Sequence, residues 1–124
     1  MPDPQSPEMS FPKPVAAFIA AVNAGNLDAL VATFAEHAMV NDQLREYWDR
    51  PAIAEWARSE IIGQRLSVEV HKTVLNHDQT VVEARVDGSF DKRGLPDPLV
   101  VTFYFSTLDD HVVQLVILRN ESNN

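Results

Sequence analysis

The spacing of the apolar residues changes once along this chain, from a helical period before Gly63 to alternation after it. Before the change, apolar residues recur at i, i+3, i+4 and i+7, as on one helical face: Val15, Phe18, Ile19 and Val22. After it, an apolar set alternates with charged residues, as in a strand with one buried face: Val82, Ala84 and Val86. The pattern predicts an α+β domain in which helices come first and an antiparallel sheet follows.

Local signals predict where three helices begin and end. The first ends at Gly25, a residue typical of a left-handed helix end. Asn26 is suited to cap a second helix, whose apolar residues are Leu27, Leu30, Val31 and Phe34. Pro51 lies in the first turn of a third helix, which ends at Gly63 and carries Ile53, Trp56 and Ala57.

Four strands are predicted after the third helix, the first two around Val68 and Val82, the others at residues 99–106 and 112–119. Turns are expected at residues 77–79 and 108–110, and a longer loop at 91–98. The last two strands are apolar on both faces. The predicted inner residues are Val101, Phe103, Phe105, Leu115 and Ile117, and the predicted outer ones are Val100, Tyr104, Val112, Val116 and Leu118. Because a monomer rarely exposes so much apolar sheet, we predict a homodimer joined through the outer sheet face.

Length and composition indicate one domain. The 124 residues contain no cysteine, which excludes disulfides and cysteine-based zinc sites. We assign residues 12–120 to the domain, 1–11 to a disordered arm that holds three prolines, and 121–124 to a frayed end. No apolar run is long enough to span a bilayer, and the acidic start does not resemble a signal peptide, so we expect a cytoplasmic protein without membrane contact.

Several classes of function have no support in the sequence. The formal net charge of -8 would repel a phosphate backbone, so no nucleic-acid binding is expected. The four histidines do not have metal-ligand spacing, and no nucleotide-binding or serine-hydrolase motif is present. We therefore predict neither a metal nor a cofactor.

Asp42 is the principal candidate for chemistry. It follows residues 34–41, where a helix is expected to give way to a short strand aimed into the fold, and Trp48 and Trp56 come soon after it. A carboxylate in a pocket lined in this way can act as a general base. An aspartate beside Asn41 is also typical of a turn or a cap, and the spacing alone favours that interpretation.

Three segments resemble a known superfamily. They read VAAFIAAVNAGNLDAL at residues 15–30, FAEHAMVND at 34–42 and PAIAEW at 51–56. These segments, with the final strand, resemble the SnoaL-like polyketide cyclases and bacterial ketosteroid isomerases of the nuclear transport factor 2-like superfamily, over residues 15–119. The resemblance implies a cone-shaped fold of three N-terminal helices packed on a strongly curved antiparallel sheet.

The resemblance also implies roles for single residues. Asp42 matches the general base of the isomerases, whereas Phe18 stands at the position of their oxyanion tyrosine. The position of their protonated aspartate falls at Val101 or Thr102. Without these hydrogen-bond donors, steroid isomerisation by the same mechanism is not expected.

A cavity between helices and sheet is the expected ligand site. Its predicted apolar wall consists of Phe18, Trp56, Phe90, Phe103, Phe105, Leu115 and Ile117, although plain core is the favoured interpretation for any one of them. Tyr47 and Trp48 are expected on a loop at the rim, as hydrogen-bond donors or as surface aromatics. Arg119 either points to the mouth of the cavity or ends a solvated strand, and for Arg45 the solvated position is favoured.

Three functional hypotheses follow. The first is a cofactor-free enzyme that isomerises, cyclises or dehydrates an apolar carbonyl compound, with Asp42 as proton shuttle. The second is a non-catalytic dimeric module that binds a small apolar ligand. A third, a protein-protein adaptor, would require exposed aromatics on the outer sheet beyond those buried by dimerisation.

Overall fold

A computed structural model describes residues 11–76, 79–95 and 98–119. The helices are α1 Lys13–Ala24, α2 Leu27–Ala32 and α3 Asp49–Trp56, and a π-helical turn, Ala57–Ile62, continues α3. The strands are β1 Phe34–Asp42, β2 Arg45–Trp48, β3 Ser67–Asn76, β4 Gln79–Asp87, β5 Leu99–Leu108 and β6 His111–Arg119. They form one open sheet in the order β2-β1-β6-β5-β4-β3. The α+β class is confirmed.

The prediction that all helices precede the sheet is wrong, because β1 and β2 form a hairpin before α3. Phe34, predicted on the second helix, begins β1 instead. Thr33 ends α2 by donating its hydroxyl to the carbonyl of Leu30 at 2.7 Å, and its own carbonyl accepts from the amide of Val112 at 2.8 Å. The chain therefore enters the sheet one residue after the helix.

The sheet is mixed and not purely antiparallel as predicted. β1 pairs with β6 in parallel, and the other neighbouring strands pair antiparallel. A parallel partner needs a long crossover connection, and here α3, β3, β4 and β5 lie between the two strands in the chain. No local sequence pattern reports such a distant pairing.

Helix α1 packs on the concave face of the sheet, which carries the buried residues of the strands. Its Phe18 ring makes edge-to-face contacts with Phe34, Phe103 and Phe105 at centroid distances of 6.0, 6.3 and 5.2 Å. Such pairs stabilise beyond the burial of their area. The Asn23 side chain accepts from the amide of Val68 and donates to its carbonyl, at 2.7 and 3.0 Å, so it ties α1 to β3.

A bulge in β6 moves one residue to the opposite face of the sheet from the one predicted. The register runs from Ser106 opposite Gln114 to Thr107 opposite Val112, so Val113 is an extra residue. Val112, predicted on the outer face, is consequently fully buried on the inner one. Along β5 and β6, Val100, Tyr104 and Val116 are half-buried and Leu118 is exposed on the outer face.

Some predictions fall outside the described residues. These are the arm up to residue 10, the turn residues His77 and Asp78, part of the loop at 96–97, and the end from residue 120. Phe11, the one described residue of the predicted arm, packs against the core.

Candidate functional site

A cavity of about 460 Å³ opens between the π-helical turn and the concave face of the sheet. Its apolar wall includes Ile61, Leu66, Phe90, Leu99, Phe103 and Ile117. Its polar groups include Asp42, Gln43, Arg45, Glu60 and Arg119. A concave apolar site with a few convergent polar groups is typical of a small-molecule pocket.

Asp42, the last residue of β1, lies in this cavity and is half-buried. Alternation along β1 turns it to the same face as the fully buried Val40. Its Oδ2 accepts a hydrogen bond from the indole Nε1 of Trp56 at 2.9 Å. Trp56 is 1% exposed, so its ring is fixed by packing and gives the carboxylate a fixed orientation.

Gln43 holds the turn that follows Asp42. Gln43 and Leu44 form a two-residue hairpin loop in which both residues have positive φ, 55° and 74°. The Gln43 amide side chain donates to the carbonyl of Ile117 at 3.2 Å and accepts from the amide of Arg119 at 3.2 Å. The side chain thus extends the pairing between β1 and β6 beyond the end of β1. Gln43 was not among the predicted site residues, since no local pattern marks a glutamine that bonds to a distant strand.

The structure brings five of the predicted site residues to the cavity: Asp42, Phe90, Phe103, Ile117 and Arg119. Arg45, for which the sequence favoured a solvated position, also lines it. Asp42 and Arg45 are direct partners across β1 and β2, so their side chains share one face.

The other predicted residues lie elsewhere. Phe18, Phe105 and Leu115 are part of the solid core, with exposures of 1%, 0% and 0%. Phe18 belongs to α1, and its ring packs on Phe105 at a centroid distance of 5.2 Å, so this part of the inner face is filled and does not line the cavity. Trp56 does not line the cavity, but it donates a hydrogen bond to Asp42, which does.

Tyr47 and Trp48 lie on β2 and not on a loop. Tyr47, opposite Val40, faces inward and packs on the ring of Trp56 at 6.3 Å. Trp48, opposite Met39, faces outward, is 58% exposed and donates to Glu46 at 3.1 Å. Alternation along β2 therefore separates two aromatics that the sequence placed together at the rim.

The segment after β4 forms the cavity wall that carries Phe90. Gly88 is required at its start, because a Cβ there would lie 2.6 Å from the carbonyl oxygen of Gln64. The amide and hydroxyl of Ser89 both donate to that oxygen, at 2.7 and 3.0 Å. These contacts join the wall to the end of the π-helical turn.

Two exposed carboxylates flank Phe90. The backbone N–H of Gly88 and then the ammonium of Lys92 hold the pKa of Asp87 below its ordinary value. The side chain and then the backbone N–H of Arg93 likewise lower the pKa of Asp91. The ammonium of Lys92 also lies 5.2 Å from the centroid of the Phe90 ring.

Two further features are absent from the described part of the chain. Its histidine, aspartate and glutamate side chains form no cluster of three that could hold a metal ion. None of its helices is long and apolar enough to cross a bilayer. The cytoplasmic location stays a prediction.

Known proteins resemble this chain in sequence and in fold. Residues 15–115 match the family model of the SnoaL-like domain. No curated protein matches the chain in sequence. Among solved structures, a Sinorhizobium meliloti protein assigned as a polyketide cyclase has a TM-score of 0.78 and 28% identity, covering 88% of this chain and 96% of that one.

Two more distant structures share the fold alone. A Catenulispora acidiphila protein with a ketosteroid isomerase-like fold, in complex with trimethylamine, has a TM-score of 0.71 and 23% identity, covering 87% of this chain and 85% of that one. The epoxide hydrolase/cyclase-like enzyme SalBIII, with a role in pyran ring formation in the polyether salinomycin, has a TM-score of 0.71 and 19% identity, covering 88% and 89%.

Proposed function

This chain belongs to the SnoaL-like domain family, and we propose that it is a cofactor-free enzyme that isomerises, cyclises or dehydrates an apolar carbonyl compound. The observation that carries the proposal is the carboxylate of Asp42, which lies in an apolar-walled cavity and is oriented by Trp56. One structural neighbour is described as a polyketide cyclase and another as an epoxide hydrolase/cyclase-like enzyme. Both descriptions agree with chemistry on small oxygenated substrates.

Asp42 would act as general base. A carbonyl compound bound against Phe90 and Phe103 would present a C–H bond beside the carbonyl to the carboxylate. Asp42 removes that proton, the electrons move onto the carbonyl oxygen, and the proton returns at another position or is lost with a leaving group. The indole N–H of Trp56 keeps the base in one orientation throughout, which lowers the entropic barrier.

The groups that would stabilise the oxyanion differ from those of the ketosteroid isomerases. Phe18 is buried in the core, and Val101, one of the two positions at which the second isomerase donor would stand, is a buried apolar residue. Arg45 and Arg119 are the cations that line the cavity, and a guanidinium stabilises developing negative charge. Steroid isomerisation by the tyrosine and aspartate mechanism is therefore not proposed.

Proton exchange tests this function directly. Methyl β-benzoylpropionate, a small aryl ketone, is incubated with the protein in D₂O, and the loss of its α-protons is followed by NMR. Asp42→Asn keeps an oxygen that can accept from Trp56 but removes the base, so the exchange rate should fall by about 100-fold or more. Asp109→Asn, which alters an exposed acid of the β5–β6 turn outside the cavity, is the matched control and should exchange at the wild-type rate. Equal rates for wild type and Asp42→Asn would refute the proposal.

The alternative is a binding module without chemistry. The missing isomerase donors favour it, because a bound ketone would then lack the oxyanion site of those enzymes. This alternative predicts that Asp42→Asn binds the ketone as tightly as the wild type and that neither protein accelerates exchange.

We also propose a homodimer joined through the outer sheet face, which would cover an apolar row. Val74, Val81, Tyr104 and Val116 are successive cross-strand partners on that face. Beside the row, charges of both signs alternate, with Lys72 opposite Glu83 and Glu69 opposite Arg85. A second copy related by a two-fold axis can match such a face without net repulsion.

Sedimentation tests the dimer. Val116→Lys should convert it to a monomer, whereas Leu44→Lys, an equally charged change of an 80% exposed residue in the β1–β2 turn, should not. A wild-type monomer at micromolar concentration would contradict the proposal.

A further inference from the structure

We infer that the carbonyl compound bound in this cavity carries a carboxylate, and that Arg45 and Arg119 bind that carboxylate. The inference rests on the proposed function, since it names the substrate class of the same site. It depends on where the two arginines lie, on their lack of a counter-charge, and on the apolar wall opposite them.

The strand register places both arginines beside Asp42. Arg45 on β2 is the direct partner of Asp42 on β1. On the other side of β1, Asp42 pairs with Ile117 of β6, and Arg119 lies opposite the inward-facing Val101. Directly paired residues point to the same face of a sheet, so both guanidinium groups reach the cavity from the strands that flank Asp42.

Neither guanidinium is neutralised by a side chain in the described part of the chain. The ion pairs there involve other cations, which are His37, Arg58, Arg85, Lys92 and Arg93. Asp42 pairs with neither arginine, and its oxygens accept from Trp56 and, at 3.5 Å, from Gln43. Two guanidinium groups without counter-charge at one cavity form a binding site for an anion, and their planar forks suit a carboxylate.

The other acidic groups of the cavity do not cancel this pair of charges. Asp91 is itself neutralised by Arg93, whose Nη2 lies 2.9 Å from its Oδ2. Glu60 lies on the π-helical turn, across the cavity from the sheet. The end of the cavity between β2 and β6 is thus locally positive in a chain whose net charge is -8.

Gln43 holds the backbone at one arginine. Its side-chain oxygen accepts from the backbone amide of Arg119 at 3.2 Å, in the turn next to Asp42. A ligand whose carboxylate binds the arginines and whose apolar body packs on Phe90 and Phe103 would therefore hold its carbonyl near Asp42. Because Arg45 is the cross-strand partner of Asp42, a keto acid with a short chain between its two polar groups is favoured.

A matched pair of ligands tests the inference. β-Benzoylpropionate and its methyl ester share the aryl ketone and differ in the carboxylate, and binding of each is measured by NMR titration. We expect the acid to bind about tenfold more tightly than the ester, with an affinity that falls as salt is added. Arg45→Gln and Arg119→Gln should each weaken binding of the acid about five- to tenfold and leave that of the ester unchanged.

Arg65→Gln is the matched control. Arg65 has no side-chain ion pair among the described residues and lies outside this cavity, so the change removes the same charge at another place. It should alter binding of neither ligand. Equal loss in all three variants would mean that overall charge attracts the acid, and this would overturn the inference.

The outcomes separate this inference from the proposed function. Exchange that depends on Asp42, with acid and ester bound equally, leaves the enzyme proposal standing and overturns the carboxylate site. Preference for the acid that depends on both arginines, without exchange, supports the carboxylate site and overturns catalysis. No binding of either ligand at millimolar concentration overturns the carboxylate site.

Discussion

Trp56 reaches the carboxylate of Asp42 from the buried side, with its indole N–H 2.9 Å from Oδ2. The tryptophan is nearly fully buried at the end of α3, and the aspartate is the last residue of β1. One hydrogen bond therefore joins the packing of a helix to the orientation of the candidate base.

Replacing this donor should affect both stability and the site. Trp56→Phe keeps an aromatic ring but leaves a half-buried carboxylate without its partner, so we expect a loss of about 1–3 kcal/mol in unfolding free energy. Chemical denaturation measures the loss, and the carboxyl ¹³C shift of Asp42 reports the change of orientation. Tyr47→Phe, in the neighbouring ring, is the control and should stay within about 0.5 kcal/mol of wild type. Similar losses of unfolding free energy in both variants would mean that the packing of the rings, and not the hydrogen bond to Asp42, sets the stability here.

The side chain of Gln43 should stabilise the junction of β1 and β6. Gln43→Ala removes its two hydrogen bonds to Ile117 and Arg119, and we expect a loss of about 1–2 kcal/mol. The amide of Arg119 should also exchange with solvent faster. Gln114→Ala, at an exposed position of the same strand, is the control. Unchanged protection of Arg119 would show that the side-chain bonds contribute nothing.

Leu44 has an unfavourable backbone conformation that glycine would relieve. Its φ is 74° and its side chain is 80% exposed, so the substitution removes strain and little packing. Leu44→Gly should raise the unfolding free energy by about 1 kcal/mol. Leu108→Gly, at an exposed leucine without positive φ, should lower it instead. Thermal or chemical denaturation of both variants tests the sign, and a destabilised Leu44→Gly would contradict the expectation.

Acid should loosen the wall that carries Phe90. The pKa values of Asp87 and Asp91 are lower in the folded protein than their ordinary values. Their stabilising contribution is therefore present above the ordinary value and is lost as pH falls through the lower folded values. Amide NMR shifts of Ser89 and Arg93, followed below about pH 4, should move with this titration. The change at Arg93 should disappear in Asp91→Asn, and its persistence would assign the titration to another group.

Much of the fold follows from local chemistry. Gly25 ends α1 in the left-handed conformation expected of it, with φ of 67°, and the side chain of Asn26 caps α2 through the amide of Ala29 at 3.0 Å. The hairpin of β1 and β2 was missed because Gln43 and Leu44 are not residues that typically form a turn with two positive φ values. The parallel pair was missed because its strands are far apart in sequence.

The candidate site was predictable where strand alternation decides it. Phe103 and Ile117 line the cavity because the alternation along β5 and β6, which the sequence displays, places both on the inner face of the sheet. Phe105 and Leu115 lie on the same inner face, yet both are fully buried in the core, and Phe105 lies against the Phe18 ring of α1. Arg45 is exposed, as the sequence favoured, and its place at the cavity was not predicted because its direction depends on β2, a strand that the sequence did not reveal.

The parallel pairing of β1 with β6 also sets the order in which the site can form. Gln43 and its partner Ile117 are 74 positions apart in the chain. Contacts between residues so far apart in sequence form slowly, so β1 gains β6 as its neighbour only after most of the sheet has formed. Until then Asp42 lacks one side of its surroundings, although Trp56 is already close by in the chain. Ligand capture should therefore appear late in refolding, after most of the secondary structure.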